Sequence, residues 1–246
     1  VTWAQADGPW SVRLSGRHFE NTGQSMTYNL LTPTTGTATA VVGAYDDTRL
    51  ATPVFGAASP VDVMQDQARL RLGYATASGW QIDALWMIWR TQQDLTDPKS
   101  WLTNASTGAP VTQGRVSYRG RVWNATGLTF SKTRRTEYLA GLKLVGPLAD
   151  WNVALNLSRY WIPKWDTRTS RDYAAGASLG QGTQSLVDRP GWSTGDLTVE
   201  RDLAGHKLAF GASANLYETA TNSFTTTNWD AATAPSFSTS TYGKTR

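Results

Sequence analysis

An all-β fold of antiparallel strands is predicted by three features of the sequence. Several segments alternate apolar and polar residues with a period of two, which is the pattern of a strand with one apolar face. Short turns rich in Gly, Pro and Asp join these segments in pairs. The chain also contains 12 Trp and 9 Tyr beside 6 Phe, and several of these Trp and Tyr residues stand near the ends of the alternating segments.

The segment 79–90, GWQIDALWMIWR, is the clearest of these strands. Its apolar face carries Trp80, Ile82, Ala84, Trp86 and Ile88. Trp80 and Trp89 stand about nine residues apart, which is roughly the length of a tilted strand that crosses a bilayer. One apolar face with aromatic ends is typical of a strand in an outer-membrane β-barrel, so we expect a transmembrane barrel.

Seven crossing strands are predicted: 8–20, 67–77, 79–90, 136–146, 151–161, 191–203 and 207–217. Long polar segments separate them at 21–66, 91–135, 162–190 and 218–246. Short turns on one side and long loops on the other are typical of such barrels, with the turns periplasmic and the loops extracellular. We interpret 115–124 as a small hairpin inside a loop, turning at Arg119 and Gly120, and not as an eighth crossing strand.

Composition excludes several other classes of protein. The net charge is +4 and the basic residues are scattered, so no nucleic-acid interface is predicted. Mean hydropathy is −0.39 and no apolar run approaches the length of a transmembrane helix, but alternating barrel strands escape such scans. The chain has no cysteine and only two histidines, His18 and His206, so we expect no metal site, no cofactor and no enzymatic activity.

Aromatic side chains are expected to mark the two edges of the lipid-facing band, because Trp and Tyr favour a membrane interface. The residues expected at the inner edge are Trp10, Trp80 and Trp151. Those expected at the outer edge are Trp89, Tyr160, Trp161 and Tyr217. Outer-membrane lipid is therefore a predicted partner of the chain.

The opposite face of the strands is polar and is expected to point into the lumen of the barrel. Its charged residues are Arg13, Arg17, Arg69, Arg71, Asp83, Lys143, Asp196 and Glu200.

The sequence resembles the barrels of TonB-dependent receptors, the plugged outer-membrane transporters for ferric siderophores and related nutrients. The stretches that carry this resemblance begin with GPWSVRLSGRHFENTGQSM, VVGAYDD and the hairpin from Ala68 to Arg90, and the later ones are YLAGLKLVGPLADWNVALNLSRYW, DRPGWSTGDLTVERDLAGHKLAFGA and YGKTR. The resemblance spans nearly the whole chain, without a strict motif. It implies a bacterial outer-membrane location and a 22-stranded barrel, of which residues 1–246 form a middle part, without the N-terminal plug or the C-terminal strands.

The resemblance also implies partners: a small-molecule ligand, the protein's own plug domain and TonB, which energises uptake. The lumen residues would then hydrogen-bond the plug. We expect the intact protein to be roughly three times heavier than this chain, which would leave room for a plug and a complete wall.

Two outer loops mix aromatic residues with cations and are candidates for capturing an anionic iron chelate, because Arg pairs with carboxylate or catecholate oxygens and Trp stacks on rings. The candidates in the first loop are Trp101, Tyr118, Arg119, Arg121 and Trp123, and those in the second are Lys164, Trp165, Arg168, Arg171 and Tyr173. Two alternatives stay open, a passive porin-like channel and a soluble β-protein that binds glycans.

Overall fold

The computed structural model describes residues 1–24, 27–46 and 50–245, apart from the side chain of Arg189. Its regular structure is almost entirely β-strand in antiparallel sheets, which confirms the predicted all-β class. Numbered in chain order, the strands of the main sheet are β1 (Thr2–Asp7), β2 (Trp10–Thr22), β7 (Asp62–Ala75), β8 (Gln81–Leu95), β13 (Ser131–Leu148), β14 (Trp151–Ser170), β15 (Gly182–Leu203), β16 (His206–Thr226) and β17 (Ser236–Thr245). The shorter elements are β3 (Tyr28–Leu30), β4 (Thr32–Pro33), β5 (Thr39–Val42), β6 (Val54–Ala57), β9 (Lys99–Ser100), β10 (Thr103–Asn104), β11 (Gly114–Tyr118), β12 (Arg121–Ala125) and the helix α1 (Tyr173–Ala177).

The nine long strands form one antiparallel sheet in the order in which they follow along the chain. Each long strand pairs with the next, and within the described residues β1 and β17 are the two edges of the sheet. Consecutive antiparallel strands alternate in direction, so all tight turns lie at one end of the sheet and all longer connections at the other.

The tight turns are only two to five residues long. Ala204 and Gly205 in the turn between β15 and β16 both have positive φ, 50° and 82°, as a two-residue hairpin turn requires. At the opposite end, the connections 23–61, 96–130, 171–181 and 227–235 are longer. The asymmetry between the two ends therefore matches the one expected from the sequence.

The register of the sheet assigns side chains to its two faces. Directly opposite residues form one continuous row across seven strands: Trp10, Tyr74, Ile82, Leu144, Leu155, Leu197 and Ala212. Because side chains alternate between the faces of a strand, the face defined by this row is apolar, and we call it the apolar face. We call the other face the polar face.

A second folded unit, which we call the cap, consists of residues 27–46, 50–61 and 96–130. Its strands form a five-stranded sheet, in the order β10-β5-β11-β12-β4, and a three-stranded sheet, in the order β3-β6-β9. Two connections that are far apart in the sequence thus share one hydrophobic core. The core residues are Leu31, Val41, Phe55, Leu102, Val116, Trp123, Ala125 and Leu128.

The expectation that 21–66 and 91–135 are long polar loops is therefore wrong for much of both segments. Each alone holds too few apolar residues for a core, and only their packing together provides one. The hairpin predicted over 115–124 is present as β11 and β12, and it turns at Arg119 and Gly120, with φ angles of 51° and 73°.

All seven segments that were predicted to be strands lie in strands of the main sheet, but this sheet has nine strands, because β1 and β17 were not expected from the sequence. The later strands are also longer than predicted: β14 continues to Ser170, and β15 begins at Gly182. The segment expected as a loop over 162–190 is therefore a connection of 171–181. The extensions are polar, and backbone pairing holds them without an apolar pattern.

The one helix among the described residues is five residues long, and no helix there is long and apolar enough to cross a membrane.

The cap core yields the first prediction. Leu31→Ala should destabilise the cap by about 2–5 kcal/mol, because it removes a fully buried side chain and leaves a cavity. Hydrogen exchange of the cap amides should measure the loss, while exchange in β13–β16 stays unchanged. Leu30→Ala is the matched control, since Leu30 is 40% exposed. Equal effects of the two substitutions would contradict a packed cap.

Candidate functional site

The apolar face of the main sheet is open to its surroundings. Leu14, Leu157 and Phe210 are exposed by 50%, 44% and 63%, and Leu72, Trp86 and Leu197 on the same face are exposed as well. An exposed apolar surface of this extent is unusual for a soluble protein and marks a surface that another apolar phase or partner covers.

Aromatic side chains line the end of this face next to the tight turns. Trp10 lies against Tyr74 with ring centroids 4.3 Å apart, and Trp151 lies 6.0 Å from Phe210. The ring of Trp80 covers Gly146 so closely that a Cβ added at Gly146 would lie 2.4 Å from it. The three Trp residues expected at the inner edge therefore lie on the apolar face, at the same end of the sheet.

A second aromatic group lies nearer the long connections. Tyr138 stacks on Trp161 at 5.2 Å and lies 5.8 Å from Trp86, so these three rings cross β8, β13 and β14 on the apolar face. Of the four residues expected at the outer edge, only Trp161 belongs to this group.

The assignment of Trp89, Tyr160 and Tyr217 to the outer edge of the apolar face is wrong. Trp89 pairs with Glu137 and with Gln67, and Tyr160 pairs with Leu139, all on the polar face. Tyr217 pairs with Trp192, which in turn pairs with Tyr160. These aromatics stand near the correct end of their strands, but an offset of one residue puts them on the opposite face.

The apolar face becomes charged beyond the second aromatic group. On the same face, β2, β7 and β8 continue with His18, Asp66 and Arg90. The Nδ1 atom of His18 lies 2.7 Å from a carboxylate oxygen of Asp66. Charged side chains therefore border the apolar surface on β2, β7 and β8, whereas on β14 the charged Arg159 stands on the apolar face itself, opposite Ala140 and beside Trp161.

The register places all eight charged residues expected in the lumen on the polar face. In the strand register, Arg13 lies opposite Arg71, Asp83 lies opposite Lys143, and Asp196 lies opposite Asn156. The other charged residues expected in the lumen, Arg17, Arg69 and Glu200, are on the same face.

Some of these charges are already compensated within the sheet. Arg71 Nη2 lies 2.9 Å from Asp83 Oδ1, and Lys207 Nζ lies 2.7 Å from Glu200 Oε2. Within the described residues, Arg69 and Lys143 have no ion pair. The polar face therefore retains cations that another part of the protein, or a ligand, can pair with.

In the cap, the candidate ligand residues surround a cleft of about 250 Å³. Asp46 organises this cleft: one oxygen accepts the Tyr118 hydroxyl at 3.0 Å and lies 2.7 Å from Arg119 Nη1. Burial, and then the hydrogen bond to Asp46, raise the pKa of Tyr118, so its phenol stays a neutral donor. The charge of Arg119 is largely neutralised by Asp46.

The other cap candidates divide into exposed and buried residues. Arg121 is exposed and has no ion pair within the described residues, so its guanidinium is available to an anion. Trp101 is 40% exposed, with the ring of Tyr28 at 6.1 Å. Trp123 is 6% exposed and donates its indole N–H to the carbonyl of Tyr118. Trp123 therefore lines the cleft but is mostly enclosed in the cap core.

The second predicted group is mostly not in a loop, which corrects the sequence analysis. Lys164, Trp165 and Arg168 lie on β14, and Tyr173 begins α1. Arg171 and Tyr173 are the two members of the group that lie in the connection 171–181.

Most of these side chains have partners within the fold. Arg168 binds the carboxylate of Asp166 at 2.8 Å and donates to the carbonyl of Asp230. Arg171 binds Asp172 and Gln181.

The remaining residues of this group differ in exposure. Tyr173 packs on Phe130 at 5.4 Å, and the guanidinium of Arg135 lies over Trp165 at 5.2 Å. Lys164 is exposed, and it has no ion pair within the described residues. The available cations of the two groups are thus Arg121 and Lys164.

Sequence reasoning missed two features of these surfaces. Asp46 pairs with residues more than 70 positions away, so no local pattern could connect it with them. Trp192 was also missed, because its place between Tyr160 and Tyr217 follows from strand pairing and not from neighbouring residues in the sequence. No group of His, Cys, Asp or Glu in the described part of the chain is arranged to hold a metal ion.

Comparison of the chain with protein families, with curated proteins and with solved structures found no match.

The cleft leads to a prediction that separates its two arginines. Arg121→Gln should weaken binding of an anionic chelate by about 1.5–3 kcal/mol, because it removes an available charge. Arg119→Gln is the control and should have a smaller effect, since Asp46 already neutralises that guanidinium. Equilibrium binding to the purified complete protein would measure both. An equal loss in the two variants, or none in Arg121→Gln, would argue against this binding surface.

Proposed function

We propose that this chain forms part of the wall of an outer-membrane β-barrel, and that the barrel belongs to a TonB-dependent receptor for a ferric siderophore or a similar iron chelate. The observation that carries the proposal is the exposed apolar face, bounded by aromatic side chains at one end and by aromatic and then charged side chains at the other.

The height of the apolar band fits a membrane. From Trp151 to Trp161, β14 spans about eleven residues, and a tilted strand needs about 9–11 residues to cross the hydrocarbon core. Lipid would cover Leu14, Leu157 and Phe210, and the two aromatic groups would meet the headgroup regions. A soluble glycan-binding protein would need a hydrophilic surface on this face.

Backbone chemistry adds a requirement for further strands. The outer edges of β1 and β17 carry unpaired N–H and C=O groups, which cannot remain unpaired in lipid. We infer that additional strands close the barrel. The polar face then lines its interior, where Arg69 and Lys143 can pair with a plug domain, as the resemblance implies.

The direction of the chain supports an external role for the cap. Tight turns belong on the periplasmic side and long connections on the outer side. The cap, Arg121 and Trp101 would then face the medium and meet the ligand first. An iron chelate with anionic oxygens suits an available guanidinium beside aromatic rings. Transport past the wall would require energy through TonB, and this step rests on the resemblance alone.

The membrane orientation can be tested with two neighbouring residues. Leu157→Arg should destabilise the protein in a bilayer by about 2–4 kcal/mol, because it places a charge against lipid near the middle of the band. Ser158→Arg is the matched control and should be tolerated, because Ser158 lies on the polar face. Folding into lipid vesicles, measured by the gel mobility of unheated samples, reports the difference. Equal tolerance of both arginines would reject the lipid-facing assignment.

Transport itself requires a measurement on cells. Cells that express the complete protein should accumulate radiolabelled ferric siderophore, and a protonophore should reduce uptake to background, because TonB draws on the proton-motive force. A strain without the protein gives the background. Uptake that persists unchanged with the protonophore would indicate a passive, porin-like channel instead of an energised receptor.

A further inference from the structure

A row of aromatic and apolar side chains crosses the otherwise polar face of the main sheet. Directly opposite residues on successive strands form this row: Met87, Leu139, Tyr160, Trp192 and Tyr217. We call its last three members, on β14, β15 and β16, the aromatic row. They include two of the residues that sequence analysis had assigned to the lipid interface.

The aromatic row presents open ring surface. Trp192 is exposed by 54% and Tyr217 by 43%, and direct cross-strand neighbours have Cβ atoms about 4.5–5.5 Å apart. Tyr160 is held more firmly, because its hydroxyl donates to Glu137, which also binds Arg135 at 2.6 Å. One end of the row is thus fixed and the other end is accessible.

Toward the tight turns, the described side chains next to Trp192 and Tyr217 are rich in hydrogen-bonding groups. One step along the strands toward the tight turns, the polar face carries Ser158, Thr194 and Asn215, which are opposite one another. The hydroxyls of Ser158 and Thr194 lie 2.7 Å apart. Thr245 is directly opposite Tyr217 on β17.

The next row of the polar face adds amide, carboxylate and hydroxyl groups from Asn156, Asp196 and Ser213. None of the described side chains at these positions of β14–β17 is a cation.

We propose that the aromatic row and the hydroxyl and amide groups beside it form a subsite for a sugar ring. A pyranose has an apolar C–H face that stacks on Trp or Tyr, and hydroxyls that exchange hydrogen bonds with Asn, Asp, Ser and Thr. An anionic chelate would instead favour a cation at this place. The subsite therefore differs in chemistry from the cleft in the cap.

This subsite rests on the proposed function, because the polar face must line the interior of a barrel. There the row crosses β14, β15 and β16 near their midpoints, at the level of the second aromatic group. A sugar reaching it has two possible sources: a free oligosaccharide, or a glycosyl group on an iron chelate. Both present the same stacking face and the same hydroxyls.

The test measures binding to the complete protein in detergent by titration calorimetry. The probes are maltohexaose, a ferric tris-catecholate, and the same chelate carrying glucosyl groups. Trp192→Leu should weaken sugar binding about tenfold, because it removes the stacking surface but keeps an apolar side chain. Trp192→Phe should retain most of the affinity.

Trp10→Leu is the control, since Trp10 is exposed by 55%, almost as much as Trp192, but on the apolar face. It should leave sugar binding unchanged.

The outcomes separate the sources and the two proposals. Maltohexaose binding that Trp192→Leu weakens would support a free oligosaccharide, and a gain from the glucosyl groups alone, lost in Trp192→Leu, would support a glycosylated chelate. If neither sugar binds while radiolabelled iron uptake remains energised, the subsite is wrong and the receptor stands. Failure of Leu157→Arg to differ from Ser158→Arg would instead reject the barrel itself.

Discussion

The register of the antiparallel sheet is the constraint on which the other features depend. Backbone hydrogen bonds link nine strands in sequence, and the alternation of side chains divides their residues between two chemically different faces. A slip of one residue in a single strand would move its apolar residues to the polar face and its charges to the apolar face. The two aromatic groups, the charged residues beyond the second group and the polar face all follow from this one alignment.

The chemistry of the main sheet changes along the length of its strands. Between the aromatic groups, the strands carry mainly apolar side chains on one face, and many of these side chains are exposed. Beyond that level the same strands carry ion pairs, such as that between Arg134 and Asp94. The buried hydrophobic core lies in the cap, where Phe55, Leu102 and Trp123 pack together.

Ion pairs and hydrogen bonds within the fold decide which charged and aromatic side chains are available to a ligand. Arg119 and Arg168 are residues of the type expected in an anion-binding site, yet each forms an ion pair with an aspartate of the same fold. Trp89, Tyr160 and Tyr217 resemble membrane-interface residues in the linear sequence, but they lie on the polar face. Residue type describes what a side chain can do, and its partners decide what remains available for a ligand.

The sequence alone determined the strand class, the seven apolar crossing segments, the ends at which turns and connections lie, and the hairpin at Arg119. These properties depend on local periodicity and on turn residues, which a linear pattern contains. The tertiary structure alone decided the polar extensions of β13–β16, the two additional strands, the cap core and the face of each aromatic residue. Strand extensions depend on a neighbouring backbone, a shared core depends on distant segments meeting, and the aromatic neighbour of Trp161 depends on the register between β13 and β14. None of these three causes can be read from residues that are adjacent in the sequence.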